Sequence, residues 1–360
     1  MIFLRCFFAA FFVFFELHSQ CNSTALCQRR YNELTYLTTH NAFNSADNNY
    51  LMPNQHFGVT RQLNDGVRAL MLDVYDSSGS LFLYHRIPIL GKQPFSEVLA
   101  EIKIFLDTHP SEIVTIIFEC YATCNAIDNE MQLAGLSSYL FVKQNNSSWP
   151  TLAEMVSSNK RLVVFSDVND AGSNQQWYHF MWDHCVETHY SVHDTADFTH
   201  EFNRGDSVND LFIFNHFVTT ATFGFGSPSY SAQANSFSFL SHRILENYLL
   251  KHKFPNFLTL DFYDLGEGKQ VVDWLNSGVL SSDNSSSKKI SVFPNPSNGV
   301  YYLLTQFPSS HYEIMNLSGV RIQEGNTGLS GDTMIKLQAP PGGYVIRFDS
   351  GETQKIWLVD

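Results

Sequence analysis

Side chains able to act as acids, bases or metal ligands stand at the ends of short apolar runs in this 360-residue chain. Along the sequence these positions are His40–Asn41, Asp73, His85, Glu119, Ser166–Asp167, Asn215–His216 and Asp261. One imidazole can remove a proton from an attacking hydroxyl while a second protonates the leaving oxygen. Asn41, Asp73 and Glu119 offer hard oxygen atoms, which suit Ca²⁺ better than Zn²⁺. The set therefore favours cleavage of a phosphodiester, with a divalent cation to neutralise the charge that develops.

The elements that must position these side chains can be predicted from the apolar patterning. Strand-like runs occupy residues 34–39, 67–74, 81–85, 113–119, 161–167, 211–217 and 257–263, and amphipathic helices are predicted at 94–109, 151–159 and 238–252. Alternation of strands and helices predicts parallel pairing, and seven or eight such strands in about 250 residues predict a closed TIM-type (β/α) barrel. The carboxyl ends of its strands would meet at one mouth, where we expect the polar residues to form an active site.

The last part of the chain has a different character. Residues 281–289 (SSDNSSSKK) are polar, lack periodicity and are typical of a linker. Residues 290–360 contain short alternating strands with turn residues, and His311 is their one histidine. We predict an α/β barrel over residues 21–280, followed by a small all-β sandwich over 290–360 that carries no chemistry.

The amino terminus predicts export. Residues 1–20 combine Arg5, an apolar core too short to span a bilayer and a small residue at Ser19, which is the pattern of a signal peptide. The net charge of −13 argues against nucleic acid as a partner. We expect a secreted or cell-surface protein.

Export makes disulfides possible. Loss of Cys6 with the signal peptide leaves five cysteines, for which Cys21–Cys27 and Cys120–Cys124 are the most local pairs, with Cys185 as the odd thiol. The sequence alone leaves this connectivity open.

The barrel region resembles the X region of phosphatidylinositol-specific phospholipase C, in particular its bacterial and plant-type branch. The similar segments follow one order: TTHNAFN (38–44), GVRALMLDVYD (66–76), LYH (83–85), PSEIVTIIFE (110–119), WPTLAEM (149–155), KRLVVFSD (160–167) and PNFLTLDFYD (255–264). The resemblance implies a barrel enzyme that cleaves an inositol phospholipid at its phosphodiester, with a phospholipid as partner and peripheral contact with a membrane.

The resemblance also implies roles for single residues. His40 matches the general base for the inositol 2-hydroxyl, His85 the general acid, and Asp261 the carboxylate that orients the first histidine. Asn41, Asp73 and Glu119 match calcium ligands. Met71 stands where the eukaryotic pattern has a further metal-binding Glu, so one ligand of that pattern is missing.

Two other functions stay open at this point. A glycerophosphodiesterase- or sphingomyelinase-D-like barrel also uses two histidines and a metal, but Met71-Leu-Asp73 supplies only the Asp of its Glu-x-Asp pattern. A non-catalytic surface module that binds inositol lipids or glycans is the third possibility.

The carboxyl-terminal segment resembles a type IX secretion sorting domain. The similar features are PNPSNG (294–299), NLSGV (316–320), GGYVIRF (342–348) and the ending KIWLV (355–359). The resemblance implies a bacterial host and recognition by the type IX secretion machinery. A sugar-binding or immunoglobulin-like appendage is the alternative for such a sandwich.

Overall fold

The structure is a computed structural model. It describes residues 21, 24–144, 147–220, 225–277, 290–293, 295, 297–305, 309–328 and 332–359. The predicted signal peptide (1–20) and linker (281–289) lie outside the described residues, so these boundaries stay predictions.

The first domain is built on one curled sheet. Its strands are β1 (Tyr36–Thr39), β2 (Ala69–Ser77), β3 (Ser80–Leu83), β4 (Gln93–Pro94), β5 (Val114–Tyr121), β6 (Leu162–Ser166), β7 (Tyr178–Phe180), β8 (Cys185–Thr188), β9 (Phe202–Gly205), β10 (Leu211–His216) and β11 (Phe257–Leu260). Among the described residues, eight strands pair in parallel in the order β7-β6-β5-β2-β1-β11-β10-β8. Apart from β7 and β8, parallel strands that follow one another in sequence are neighbours in the sheet, which is the order of a TIM-type barrel. The predicted fold class is confirmed.

Two details differ from the prediction. The run at 81–85 is not a barrel strand, because β3 pairs antiparallel with β2 across the turn at Ser78–Gly79. Two residues can join antiparallel strands only, since parallel neighbours need a crossover of a dozen or more. For the same reason the ladder does not close within the described chain: only four residues separate β7 from β8, and the two strands do not pair.

Helices cover the outside of the sheet. They are α1 (Thr24–Cys27), α2 (Val59–Asn64), α3 (Phe95–Thr108), α4 (Cys124–Leu133), α5 (Leu152–Ser157), α6 (Pro228–Ala234), α7 (Phe237–Lys251) and α8 (Gly268–Asn276). The three predicted helices correspond to α3, α5 and α7. A Thr-x-x-Glu capping box begins α5, where Thr151 and Glu154 each bind the other's backbone N–H. In the described part of the chain, no helix is both long and apolar enough to cross a membrane.

The lower half of the barrel is filled by aromatic and aliphatic side chains. Tyr31, Tyr36, Trp149, Phe165 and Phe257 lie in one buried cluster there. Tyr31 stacks on Trp149 with ring centroids 5.0 Å apart. These packed side chains occupy the base of the barrel, and the cavity described below lies at the opposite end.

The carboxyl-terminal strands form two antiparallel sheets. The first has the order β12-β13-β16 and the second β15-β14-β17-β18. Their bounds are β12 (Ile290–Phe293), β13 (Val300–Thr305), β14 (His311–Asn316), β15 (Arg321–Asn326), β16 (Asp332–Lys336), β17 (Gly342–Phe348) and β18 (Thr353–Leu358). Side chains from both sheets share one apolar core, which confirms the predicted sandwich.

The cysteines agree with the prediction only in part. Cys21 and Cys27 form a disulfide, and Cys185 is a free buried thiol, as predicted. The predicted Cys120–Cys124 bridge is wrong, because both are free and buried. The Cys120 thiol instead donates to the Ala122 carbonyl and accepts from the Tyr178 hydroxyl.

Candidate active site

On three strands of the barrel, the inward face changes from apolar to polar towards the carboxyl end of the strand. Side chains on a strand alternate between its two faces, so residues two apart point the same way. Met71 is followed by Asp73 on β2, Ile117 by Glu119 on β5, and Ile213 by Asn215 on β10, and all six line the same cavity. The upper layer is therefore a ring of polar groups on an apolar floor.

His40 forms the first of two histidine–carboxylate pairs at this mouth. It follows β1, whose neighbour β11 is followed by Asp261, and Thr39 lies beside Leu260 in the parallel register. His40 Nδ1 donates to Asp261 Oδ1 at 2.9 Å, and the Asp261 side chain is 1% exposed. The imidazole stacks flat on Phe217, with centroids 3.8 Å apart. With Nδ1 engaged by the carboxylate, Nε2 is the ring atom left to exchange a proton.

His85 and Asp73 form the second pair. The β2–β3 hairpin places Val74 beside Leu83, which brings the residue after the hairpin back towards Asp73. His85 Nδ1 contacts Asp73 Oδ2 at 2.9 Å, and both side chains are largely buried. This ring too keeps Nε2 for a ligand.

The carboxylates at the mouth perturb one another and the first histidine. Burial raises the pKa of the Asp73 carboxyl, and the charge of Glu119 adds to that increase against the opposing effect of His85. Burial alone would lower the pKa of His40, but the charge and hydrogen bond of Asp261, with the charges of Asp73 and Glu119, raise it. The site therefore holds an excess of negative charge.

This excess fits a hard divalent cation. Asp73 Oδ2 contacts His85 Nδ1, and the Asn41 amide nitrogen donates to Asn54 Oδ1 at 3.1 Å. The other side-chain oxygen of Asp73 and the side-chain oxygen of Asn41 have no hydrogen-bond partner within the described residues. Asn41 has a left-handed backbone, with φ 46°. Over the described chain no three His, Cys, Asp or Glu side chains form a metal cluster by themselves. The predicted set combines Asp73 and Glu119 with the Asn41 amide, which is a donor chemistry that Ca²⁺ accepts.

The cavity that these groups face has a volume of about 430 Å³. This is within the range of small-molecule sites, roughly 300–1,000 Å³. A polar headgroup can enter it, and the two free ring nitrogens would face the same ligand.

Comparison with known proteins identifies the barrel. The family model for the PI-PLC X domain matches residues 26–276. The chain belongs to the PI-PLC X family.

Relatives of this PI-PLC X protein occur in plants and fungi. A PI-PLC X domain-containing protein of Arabidopsis thaliana is 30% identical over 280 residues, which cover 69% of this chain and 63% of the relative. PI-PLC X domain-containing protein 1 of Arthroderma benhamiae is 28% identical over 265 residues, covering 67% of this chain and 84% of that protein. The chain thus matches somewhat less than two thirds of the length of the plant relative.

Solved structures of bacterial enzymes are also similar. The phosphatidylinositol-specific phospholipase C of Listeria monocytogenes has a TM-score of 0.47 and 18% identity, covering 70% of this chain and 95% of that one. The Staphylococcus aureus enzyme has a TM-score of 0.49 and 14% identity, covering 70% and 94%.

The structure brings all six predicted site residues of this PI-PLC X barrel together. Asp261 lies behind His40, and the other five line the cavity: His40, Asn41, Asp73, His85 and Glu119. Two further polar residues from strand ends, Asp167 and Asn215, line the cavity as well. His216 is buried on the outer face of β10, where Arg243 donates to its Nδ1 at 2.8 Å.

Sequence reasoning missed several polar residues at the mouth. Glu187 lines the cavity and is 3% exposed. One of its carboxylate oxygens accepts from Arg204 Nε, and the other accepts from the Asn215 amide at 3.0 Å. Glu187 and Arg204 belong to short strands without strong apolar runs. Asn54 lies in an irregular loop, and only the density of amides in residues 41–55 could have drawn attention to it.

Proposed function

We propose that this protein is an exported phosphodiesterase that cleaves phosphatidylinositol-type phosphodiesters by histidine acid–base catalysis assisted by calcium. The observation that carries this proposal is the pair of His–Asp units with free Nε2 atoms at one cavity. Paired imidazoles of this kind suit a reaction in which one proton is removed and another is supplied.

The chemistry follows from the two ring nitrogens. His40 Nε2 accepts the proton of the inositol 2-hydroxyl, whose oxygen attacks the adjacent phosphorus. His85, protonated and stabilised by Asp73, donates a proton from Nε2 to the diacylglycerol oxygen that leaves. The products are a cyclic inositol phosphate and diacylglycerol. A calcium ion held by Asn41, Asp73 and Glu119 would supply positive charge for the phosphate.

An exposed apolar rim beside the mouth supports contact with a membrane. Ile87 follows His85 by two residues, and Ile89 is 83% exposed. Leu51 N donates to Leu90 O at 2.8 Å, so the loop that carries exposed Leu51 and Met52 joins the same rim. Because the chain carries a net charge of −13, this contact would depend on apolar insertion rather than on attraction to anionic lipids.

Export rests on separate support. A 25% identical relative from Arthroderma benhamiae carries the name "Uncharacterized secreted protein". The Cys21–Cys27 disulfide fits an oxidising compartment. We assign the carboxyl-terminal sandwich to type IX sorting in a bacterial host, which predicts that a chain without residues 290–360 fails to reach the surface of such a host.

Phosphorus NMR on phosphatidylinositol vesicles tests the proposed reaction. The purified protein is incubated with vesicles in calcium and, separately, in chelator. Cyclic inositol phosphate that forms only with calcium supports the full proposal, and product in both conditions would retain the histidines but remove the metal. Vesicle binding without product would favour the non-catalytic lipid-binding module instead.

A further inference from the structure

Asn54 lies in the loop between β1 and α2 and belongs to neither histidine pair. It is 1% exposed, and both ends of its amide are engaged. Nδ2 donates to both oxygens of Asp261 at 3.1 Å each. Oδ1 accepts from Asn41 at 3.1 Å and from Asn44 at 2.7 Å. Because the donors and the acceptor have different partners, the amide can take only one orientation.

The same amide reaches both pairs. On one side, the Asp261 carboxylate that Asn54 holds is the partner of His40. On the other side, the Asn41 nitrogen that Asn54 holds packs 3.2 Å from His85 Nδ1, a contact without a hydrogen bond because Nδ1 carries the proton directed at Asp73. A continuous chain of side-chain contacts therefore runs His40–Asp261–Asn54–Asn41–His85.

We propose that Asn54 is a positioning residue that sets the two histidines relative to each other and turns the Asn41 oxygen towards the cavity. This inference rests on the proposed function, in which both rings act on one substrate. Loss of the bridge frees the Asp261 carboxylate and the Asn41 amide to rotate, and a displacement of about 1 Å at reacting groups can cost about 100-fold in rate.

The chain offers a matched control in Asn235. It is also 1% exposed and also contacts Asp261, but its Nδ2 donates to the backbone carbonyls of Asp261 and Phe262 at 3.0 and 3.3 Å. Asn235→Ala therefore removes a buried amide and two hydrogen bonds beside the same residue without releasing its carboxylate.

The first measurement is kinetic and uses the full chain with phosphatidylinositol vesicles. We expect Asn54→Ala to lower kcat by about 100-fold while KM stays unchanged, because the substrate contacts remain. Asn54→Ser, whose hydroxyl can serve only one side of the bridge, is a second variant in case the alanine variant does not fold. Asn235→Ala is expected to keep kcat near the wild-type value.

The second measurement needs no substrate. Long-range proton–nitrogen NMR spectra report the state of each histidine ring, and His40→Ala and His85→Ala assign the two rings. We expect the ring nitrogen shifts of both histidines to move in the Asn54 variants and to stay in place in Asn235→Ala. Shifts and kcat that match those of Asn235→Ala would overturn the role of Asn54. Moved shifts in a protein whose wild type yields no product would overturn the proposed function but keep the positioning role.

Discussion

The two ends of the barrel both bury charged groups, but they use them differently. At the base, Arg68 Nε binds Glu112 at 2.7 Å, and Arg68 Nη1 donates to the carbonyls of Leu63 and Val67 at 2.6 and 2.8 Å. Arg161 donates to the carbonyls of His109, Glu112 and Leu106 nearby. At the mouth, each of the two histidines contacts a carboxylate through Nδ1. The Nε2 atom of each ring is then available to a ligand in the cavity.

This difference separates stability from function. The buried charged groups at the base of the barrel link chain segments, and their hydrogen bonds are made to other parts of the protein. The mouth retains hydrogen-bonding atoms and an excess of negative charge that the protein itself does not neutralise. Substitutions at the base should therefore act on unfolding, and substitutions at the mouth should act on turnover.

Removal of either mouth histidine should have the largest effect. We expect His40→Ala and His85→Ala each to lower kcat by about 10²–10⁴-fold, the usual contribution of a general acid or base. The control is His56→Ala, because His56 also pairs with a carboxylate, Asp264, at 2.8 Å but does not line the cavity. Full turnover by either mouth variant in the phosphorus NMR assay would refute its assignment.

Arg68→Ala should show the reverse pattern. It removes the guanidinium from a buried ion pair with the Glu112 carboxylate, which is 2% exposed, and this should cost about 3–5 kcal/mol of unfolding free energy. Denaturant titration measures this loss, and kcat per folded molecule should stay at the wild-type value. The control is Arg61→Ala, which breaks an exposed pair with Asp65. A large loss of kcat in folded Arg68→Ala would break the separation between base and mouth.

The Asp261→Asn variant should move the pH dependence of kcat/KM. The general base must be neutral, so in the wild type activity falls as the pH drops through the raised pKa of His40. Loss of the Asp261 charge leaves burial as the dominant effect, so the pKa of His40 falls and the acidic limb moves to lower pH. Asp264→Asn, in the pair outside the cavity, should leave the limb in place. An unmoved limb in Asp261→Asn would show that another group is the base.

Substitution of the exposed rim should have the smallest effect. Ile89→Asp should raise the apparent KM for vesicles about tenfold, equivalent to about 1.4 kcal/mol of lost apolar insertion. Turnover of a soluble phosphodiester should not change. Leu133→Asp is the control, because Leu133 is 82% exposed and ends α4 on the outside of the barrel. Equal effects of both substitutions on vesicles would argue against a membrane contact at this rim.

Apolar periodicity predicted the barrel strands and the side chains that end them. His40, Asp73, Glu119 and Asp261 could be found because each follows an apolar run, and strand ends in a parallel barrel meet at one mouth. Arg68 is an odd number of positions from Asp73, so alternation along the strand places it on the opposite face, and it pairs with Glu112 at the base.

What the sequence could not predict depends on contacts between distant segments. Asn54 binds Asp261 across 207 positions, and its loop has no periodicity to reveal that contact. Cys120 and Cys124 are close in sequence but do not form a disulfide, and one lies near the end of β5 while the other begins α4. Local patterns give the elements, whereas pairings between loops need coordinates.

The left-handed backbone at Asn41 limits which residue types this position can accept. Most L-residues pay roughly 1–2 kcal/mol for this conformation, and Gly, Asn and Asp are the ones that adopt it routinely. Gly offers no oxygen to a ligand, and Asp would place a carboxylate oxygen against the Asn54 carbonyl oxygen, where the Asn41 amide now donates a hydrogen bond. A saturation library at codon 41, selected for activity, should therefore return Asn almost alone.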